Sequence, residues 1–456
     1  MRAQPRSSLS RMWRPRLLAV VALASTAPFL LGPAGRSQTT SATNDDRAVT
    51  RSTPLITGVQ LHFGAMIRKA GYQPGPTDTA MRTLDAVSAR DNLSWPDLAQ
   101  TQGSGIAARL PALFDVTHQR GAAAPPLLTP HGGLPNIDGG NLPTSPGALR
   151  AFSAFVGDAV TAWKGTGALV EIWNEWDKGV RKGDYGTPES YVALVKATAP
   201  AIRRGAPDAK ILAGGAADDR GQLRSEWTKS MIDGGGLDSA DALSIHLYDH
   251  CAAQLLPRAT DEMMARLDDI HAYAAAHAPG KSDIYVSEFG WPSNSGRCGV
   301  DAQAVAENVA QFIFAASARP WIRGVWYYEL KDSGRDPAEI EDNFGLLTYD
   351  YRPKPAFCAY QAAAKLVRSA RPVRVVRDGS AMRVDFAGGD GTVSVIWLAD
   401  RRRPMQFSTD AATAQPVCGA AAVTRPGWAD LSARPIILRS GGAAPRIQFR
   451  SGPLSS

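Results

Sequence analysis

Several signatures are missing from this chain, and each absence removes a class of function. No Gly-rich GxGxxG loop follows the first β-like run, which argues against an open dinucleotide-binding sheet. The four cysteines show neither CxxC nor close Cys/His spacing, which argues against a structural zinc site; no metal or organic cofactor is expected. None of the strand-like runs carries an interior lysine placed for Schiff-base chemistry; Lys331 falls just past the last of them. No fixed-period repeat is visible, and no segment beyond residue 31 reads as membrane-spanning.

Excess positive charge is also missing once its position is considered. The formal net charge is +7, but Arg2, Arg6, Arg11, Arg14, Arg16 and Arg36 all precede Thr43, with no acidic residue among them. An apolar run, Leu17 to Leu31, follows the first five, and small residues follow the run. That order is the pattern of an export signal. Cleavage near Ala42 leaves 44 basic against 43 acidic residues, so the case for nucleic acid disappears with the leader. An uncleaved signal-anchor is the alternative, disfavoured because the run is shorter than the roughly 20 residues of a spanning helix. A secreted or periplasmic location is expected, where Cys251, Cys298, Cys358 and Cys418 would form two disulfides; free thiols in a cytosolic protein are the competing reading.

What is present is an alternation. Eight β-like runs occur: Ile56–Phe63, Ala86–Asn92, Ala124–Pro130, Leu169–Trp176, Lys210–Gly214, Ala242–Tyr248, Ile284–Trp291 and Val325–Leu330. Between or after them lie helical patterns, including Ile106–Gln119, Pro146–Trp163, Pro188–Arg204, Thr260–His277, Ala302–Ser317 and Pro355–Arg368. Eight βα units imply an α/β fold, a (β/α)8 TIM barrel over residues 43–371 that follows a 1–42 signal peptide and leader. Thr43–Thr53 reads as polar leader. From Pro372 the texture changes to short alternating runs separated by Asp378-Gly379 and Gly388-Gly389-Asp390-Gly391, so 372–456 is expected to be a small β domain with a polar tail.

Barrel sites gather at the C-terminal ends of strands. There the fourth run ends Trp173-Asn174-Glu175-Trp176 and the seventh ends Ser287-Glu288-Phe289-Gly290-Trp291. Two such carboxylates facing each other across a barrel mouth suit glycosidic cleavage with retention, one as acid/base and one as nucleophile. Glu171 and Glu329 are weaker competitors, and any single strand-end Glu could simply cap a helix or pair with arginine.

Those two strings resemble the strand-four and strand-seven signatures of clan A glycoside hydrolases. The Gly58–Phe63 start and the Arg90-Asp91-Asn92-Leu93-Ser94-Trp95 segment look most like family 39, including members that act on bacterial exopolysaccharides, and the resemblance spans about residues 56–365. The string Asn343-Phe344-Gly345-Leu346 with Lys354-Pro355-Ala356 is similar to the clan's last βα unit; families 5 and 17 share several of these motifs. The resemblance implies Glu175 as acid/base and Glu288 as nucleophile. It implies Arg90 holding the nucleophile, Asn174 on the sugar 2-hydroxyl, His246 and Tyr248 beside the nucleophile, and Trp326 as an aromatic floor under the sugar. Trp95, Trp176 and Trp291 are sugar-stacking candidates or core aromatics, and His62, His131 and Asp91 are hydroxyl contacts or satisfied core groups.

The expected function is hydrolysis of a polysaccharide or oligosaccharide. A transglycosylase on the same site and a non-catalytic carbohydrate-binding barrel for polysaccharide export are the rivals. Glu175 should be protonated before reaction, its pKa raised by burial and by Glu288. Four cysteines allow three connectivities. On the barrel hypothesis Cys251 and Cys298 lie in adjacent loops on the catalytic face and should pair, which leaves Cys358 in the last barrel helix to pair with Cys418 in the β domain.

Overall fold

The computed structural model describes residues 45–452, apart from 65–66, 87, 100–109, 119–124, 181–182, 218–224, 252–258 and 390. The expected leader and its apolar run lie outside the described residues, as do Ile106 to Arg109 of one expected helix. Among the described residues no helix is long and apolar enough to cross a membrane.

A four-residue strand, β1 (Asp45–Ala48), comes first, and eight parallel strands then close into a barrel: β2 (Ile56–Leu61), β3 (Ser88–Ser94), β4 (Leu127–His131), β5 (Leu169–Glu171), β6 (Lys210–Gly214), β7 (Ala242–Leu247), β8 (Ile284–Phe289) and β9 (Ile322–Tyr327). All eight overlap the runs read from sequence. Their Val, Ile and Leu content suits strands buried on both faces, as covering helices demand. Closure is direct, with Gly58 of β2 beside Trp326 of β9. Covering helices begin where the sequence supplies caps. Ser145 accepts from Ala148 N before Pro146–Val160, Thr187 forms a capping box with Ser190 before Pro188–Gly205, and Asp301 accepts from Gln303 N before Ala302–Ser317.

Two layers of side chains fill the barrel interior. Near the N-terminal ends of the strands, Leu127, Leu169, Leu212, Ala242, Tyr285 and Trp326 form an apolar plug. Trp326 lies flat over Gly58, where a Cβ would come within 2.3 Å of the indole. Above it the interior turns polar, with Arg90, Glu171, His246 and Ser287 all fully buried.

The C-terminal region is a seven-stranded antiparallel sheet and a three-stranded one. The first contains β10 (Arg371–Asp378), β11 (Ala381–Gly388), β12 (Gly391–Leu398), β14 (Thr413–Pro416), β15 (Ala422–Val423) and β17 (Ile436–Arg439); the second contains β13 (Met405–Thr409), β16 (Ala429–Leu431) and β18 (Ile447–Ser451). The Asp378-Gly379 hairpin forms as expected, with Gly379 at φ 58°. The seventh strand of the larger sheet is β1, which pairs with β10, so part of the stretch read as leader is structural. Its charged composition hid it: Asp46 is a strand residue that pairs with Arg374 across the sheet. This region packs on the barrel through Phe314 against Phe386 and Trp397, and through a Gln311 amide donating to the Ala433 carbonyl. Disulfides join Cys251 to Cys298 and Cys358 to Cys418, the pairing expected from the barrel reading.

Candidate active site

At the mouth of the barrel, β5 ends early but its path continues. Ile172 N donates to Leu212 O, Trp173 N to Pro130 O and Glu175 N to Gly215 O, so the chain stays stitched between β4 and β6. Trp173 and Glu175 both sit in the left-handed region, at φ 70° and 54°. Non-glycine residues held there cost on the order of 1 kcal/mol each and cluster where function fixes them. Gly215 is required beside them, because a Cβ there would lie 2.8 Å from a Glu171 oxygen. On the opposite wall the β7–β8 register shifts after Ile245, which pairs His246 with Glu288.

Arg90 is the hub. Its Nη1 lies 2.7 Å from Glu288 Oε1, and its Nη2 donates to Glu171 Oε2 at 2.7 Å and to Asn174 Oδ1 at 3.0 Å. Burial opposes its charge, but the Glu288 and Glu171 carboxylates outweigh burial and raise its pKa further. Glu171 also accepts from Thr129 at 3.0 Å and from Ser287 at 2.5 Å. Burial raises its carboxyl and Arg90 and His246 lower it, with the net well below the ordinary value. It is therefore the buried counter-charge of the network and makes no approach to the cleft.

His246 faces carboxylates on both ring nitrogens. Nδ1 is 3.3 Å from Glu175 Oε1 and 3.5 Å from Glu288 Oε2, while Nε2 is 3.4 Å from Glu171 Oε1. Burial alone would discharge the ring, yet Glu288 and Glu171 push its pKa up to about 10. The Tyr248 hydroxyl donates to Glu288 Oε2 at 2.7 Å. Glu175 pairs with Lys178 as well, Oε2 to Nζ at 3.0 Å. Burial raises the Glu175 carboxyl, but the His246 hydrogen bond and the Lys178 charge win and hold it down to about 2. This reverses the expected raised pKa. Burial and Glu288 were both anticipated; the two cations beside Glu175 were not.

A cleft of about 290 Å³ opens over these groups, lined by Glu175, Glu288, Asn174, Tyr248, His62 and His131 among others. Burial holds His131 down to about 4, so it is neutral, and its Nε2 accepts from Asn92 Nδ2 at 3.3 Å. His62 lies 3.0 Å from Glu329 Oε2, a carboxylate that outweighs burial and raises its pKa. Asp91 is turned away to accept from Phe63 N and Gly64 N.

The tryptophans do not reach this cleft. Trp326 lies in the apolar plug and donates to Ser88 Oγ at 3.0 Å. Trp95 stacks on Phe155, Trp176 donates to Ser190 Oγ, and Trp291 donates to Asp249 Oδ1; all are buried packing residues. The aromatic presented at the end of the eighth barrel strand is Tyr328, the residue that follows β9. It shares the inward parity of Trp326 but stands two residues nearer the mouth. Sequence reading also passed over Asn92, Lys178, His250, Glu341 and Phe344, which complete the lining. Phe344 lies within a motif already noted, and Lys178 follows Glu175 by three residues; His250 and Glu341 sit in loops whose course no local pattern sets.

Glu175, His246 and Glu288 bring ligand atoms within 4.8 Å of one another, as metal ligands do. Here Arg90 and Lys178 already neutralise the two carboxylates and the imidazole carries a proton, a donor set that suits ion pairing better than a metal ion.

No protein-family model and no curated protein sequence matches the chain. Solved structures do. A family 39 glycoside hydrolase from the gut symbiont Bacteroides cellulosilyticus WH2 aligns at TM-score 0.68 and 19% identity, covering 85% of this chain and 81% of that one. A monomeric β-xylosidase from Caulobacter crescentus CB15 aligns at TM-score 0.57 and 13% identity (86% and 97% covered). A GH30 endoxylanase from Clostridium papyrosolvens C71 aligns at TM-score 0.56 and 12% identity (89% and 98% covered). The chain has the fold that these glycoside hydrolases share: a (β/α)8 barrel carrying a C-terminal β domain.

Proposed function

We propose that this protein is an exported retaining glycoside hydrolase of the clan A type, with Glu288 as nucleophile and Glu175 as acid/base. One observation carries the reading. Carboxylate oxygens of Glu175 and Glu288 lie within 4.8 Å of each other in the cleft at the strand ends. Retaining enzymes separate the two groups by about 5–5.5 Å, whereas inverting enzymes leave about 6.5–9.5 Å for a water.

In the proposed reaction Arg90 and Tyr248 orient the Glu288 carboxylate, which attacks the anomeric carbon. The bond to the leaving oxygen breaks as Glu175 delivers its proton there. Glu175, now ionised, takes a proton from the water that attacks the glycosyl-enzyme, and Glu288 leaves. Asn174 has its Oδ1 anchored by Arg90, which frees its amide for the sugar 2-hydroxyl. The substrate class is a polysaccharide or oligosaccharide, bacterial exopolysaccharides included.

A panel of β-glycans and bacterial exopolysaccharides, with product analysis, tests this. Wild type should release shorter saccharides from at least one member, and Glu175→Gln and Glu288→Gln should not. A folded wild type that cleaves none, or either variant with near-normal activity, overturns the proposal.

A further inference from the structure

The wall that carries Glu175 continues past the lining of the cleft. Lys178 Nζ lies 3.0 Å from Glu175 Oε2, and Lys178 lines the cleft. Beyond Lys178 the chain folds back on itself. Gly186 N donates to Trp176 O at 3.1 Å, and Gly179 packs so closely on Asp184 that a Cβ there would lie 1.5 Å from the Asp184 carbonyl oxygen. Tyr185, between Asp184 and Gly186, is therefore held beside the short turn Trp176–Lys178. The returning arm is also anchored to two other parts of the barrel: Leu142 N donates to Asp184 Oδ2 at 2.9 Å, and Trp227 Nε1 donates to Gly186 O at 3.1 Å. On this fixed backbone the Tyr185 side chain stands 64% exposed. Among the described residues the other exposed aromatic side chain is Trp428, whose ring is covered by Arg450 at 4.2 Å; Tyr185 has no such partner among them.

We propose that Tyr185 is a sugar platform on the leaving-group side of the site, so that the leaving group is itself a saccharide. This rests on Glu175 being the acid/base, because the sugars joined to the oxygen that Glu175 protonates begin at this wall. The C–H face of a pyranose is apolar, and packing it on an aromatic ring removes both surfaces from water. Tyrosine makes that contact at low entropic cost, since it has two side-chain torsions and its backbone is already fixed through both neighbours. The aromatic rings of the cleft itself, Tyr248, Tyr328 and Phe344, pack edge to face on one another. A ring outside that cluster extends the contact to a further sugar, which favours oligosaccharides and polysaccharides over glycosides with a small leaving group.

The test compares the panel glycan that wild type cleaves fastest with the glycosyl fluoride of the saccharide released from its nucleophile side, whose leaving group carries no sugar. Tyr185→Ala should lower kcat/KM about tenfold further on the glycan than on the fluoride, and Tyr185→Phe, which keeps the ring, should restore it. Equal losses on the two substrates, or no loss on the glycan, would overturn the proposal. Calorimetric binding to Glu175→Gln protein gives a second readout, with the panel glycan that binds most tightly. Adding Tyr185→Ala should raise its Kd about tenfold, and an unchanged Kd would equally overturn the proposal. If a glycan is bound but none is cleaved, the proposed function falls, while the Kd ratio still decides whether Tyr185 holds a sugar. If none is bound, both fall.

Discussion

The two ends of the barrel interior are built on the same eight strands and obey opposite rules. At the N-terminal end Leu127, Leu169, Leu212 and Trp326 meet only one another and a few apolar neighbours, and Trp326 places its single polar atom on Ser88. At the mouth, two to four residues farther along, Arg90, Glu171, His246 and Glu288 form a charged lattice with both signs buried. Buried ion pairs seldom add net stability over a packed apolar core, and removing one partner is costly. The plug therefore holds the barrel together, and the mouth is held in place by it, its strained residues at Trp173 and Glu175 included.

Substitutions at the two ends should separate along that line. The largest effect is expected from Glu175→Gln and Glu288→Gln, each lowering turnover by about 10³-fold or more, a loss far beyond the stability cost of taking one charge out of the lattice. Equal losses of stability and activity in these variants would erase the distinction. Trp326→Ala should do the reverse, costing about 3–5 kcal/mol by denaturant unfolding while the folded fraction keeps its kcat. A selective loss of substrate affinity would instead return Trp326 to the sugar site. Glu171→Gln belongs between the two, since it strips Arg90 and His246 of their counter-charge. A destabilisation of about 3 kcal/mol with a smaller activity loss than Glu175→Gln is expected.

This division was only partly legible in the sequence. Runs of branched apolar residues broken by helical periodicity are strong signals; all eight strands and the Cys251–Cys298 pairing follow from them, and Cys358–Cys418 follows by elimination. The paired glutamates stand out because carboxylates at the ends of apolar runs conflict with burial unless used. Depth along a strand is a weaker signal. Trp326 and Tyr328 share one face, and nothing local says which lies at the mouth, because β9 begins at Ile322 rather than at the Val325 that opens the apolar run. Long-range charge is weaker still. The pairing of Lys178 and His246 with Glu175, which reverses its expected titration, depends on loops and on a register shift that sequence pattern does not fix.

Smaller effects probe the periphery. Replacing Cys358 and Cys418 by alanine opens a 60-residue loop and should lower stability by about 4 kcal/mol with kcat unchanged, since that bond ties the β domain to the last barrel helix. Mass mapping of unreduced peptides should recover this crosslink and Cys251–Cys298; any mixed pair would contradict the loop placement. The smallest effect is in pH. The His246 pKa is raised to about 10, so its contribution is complete below about 6.5 and disappears as pH rises through 10. The lowered carboxyls of Glu171 and Glu175 act oppositely, contributing above about 4.5 and less as pH falls. Melting temperature should therefore peak between these limits, and a steady rise from pH 7 to 10 would contradict a charged His246.

The most direct test of the two-glutamate reading is the anomeric configuration of the first product released from a cleaved glycan, followed by proton NMR before mutarotation. Retained configuration is expected from carboxylates this close together. Inverted product would require a water between Glu175 and Glu288, and would contradict the assignment of Glu288 as nucleophile.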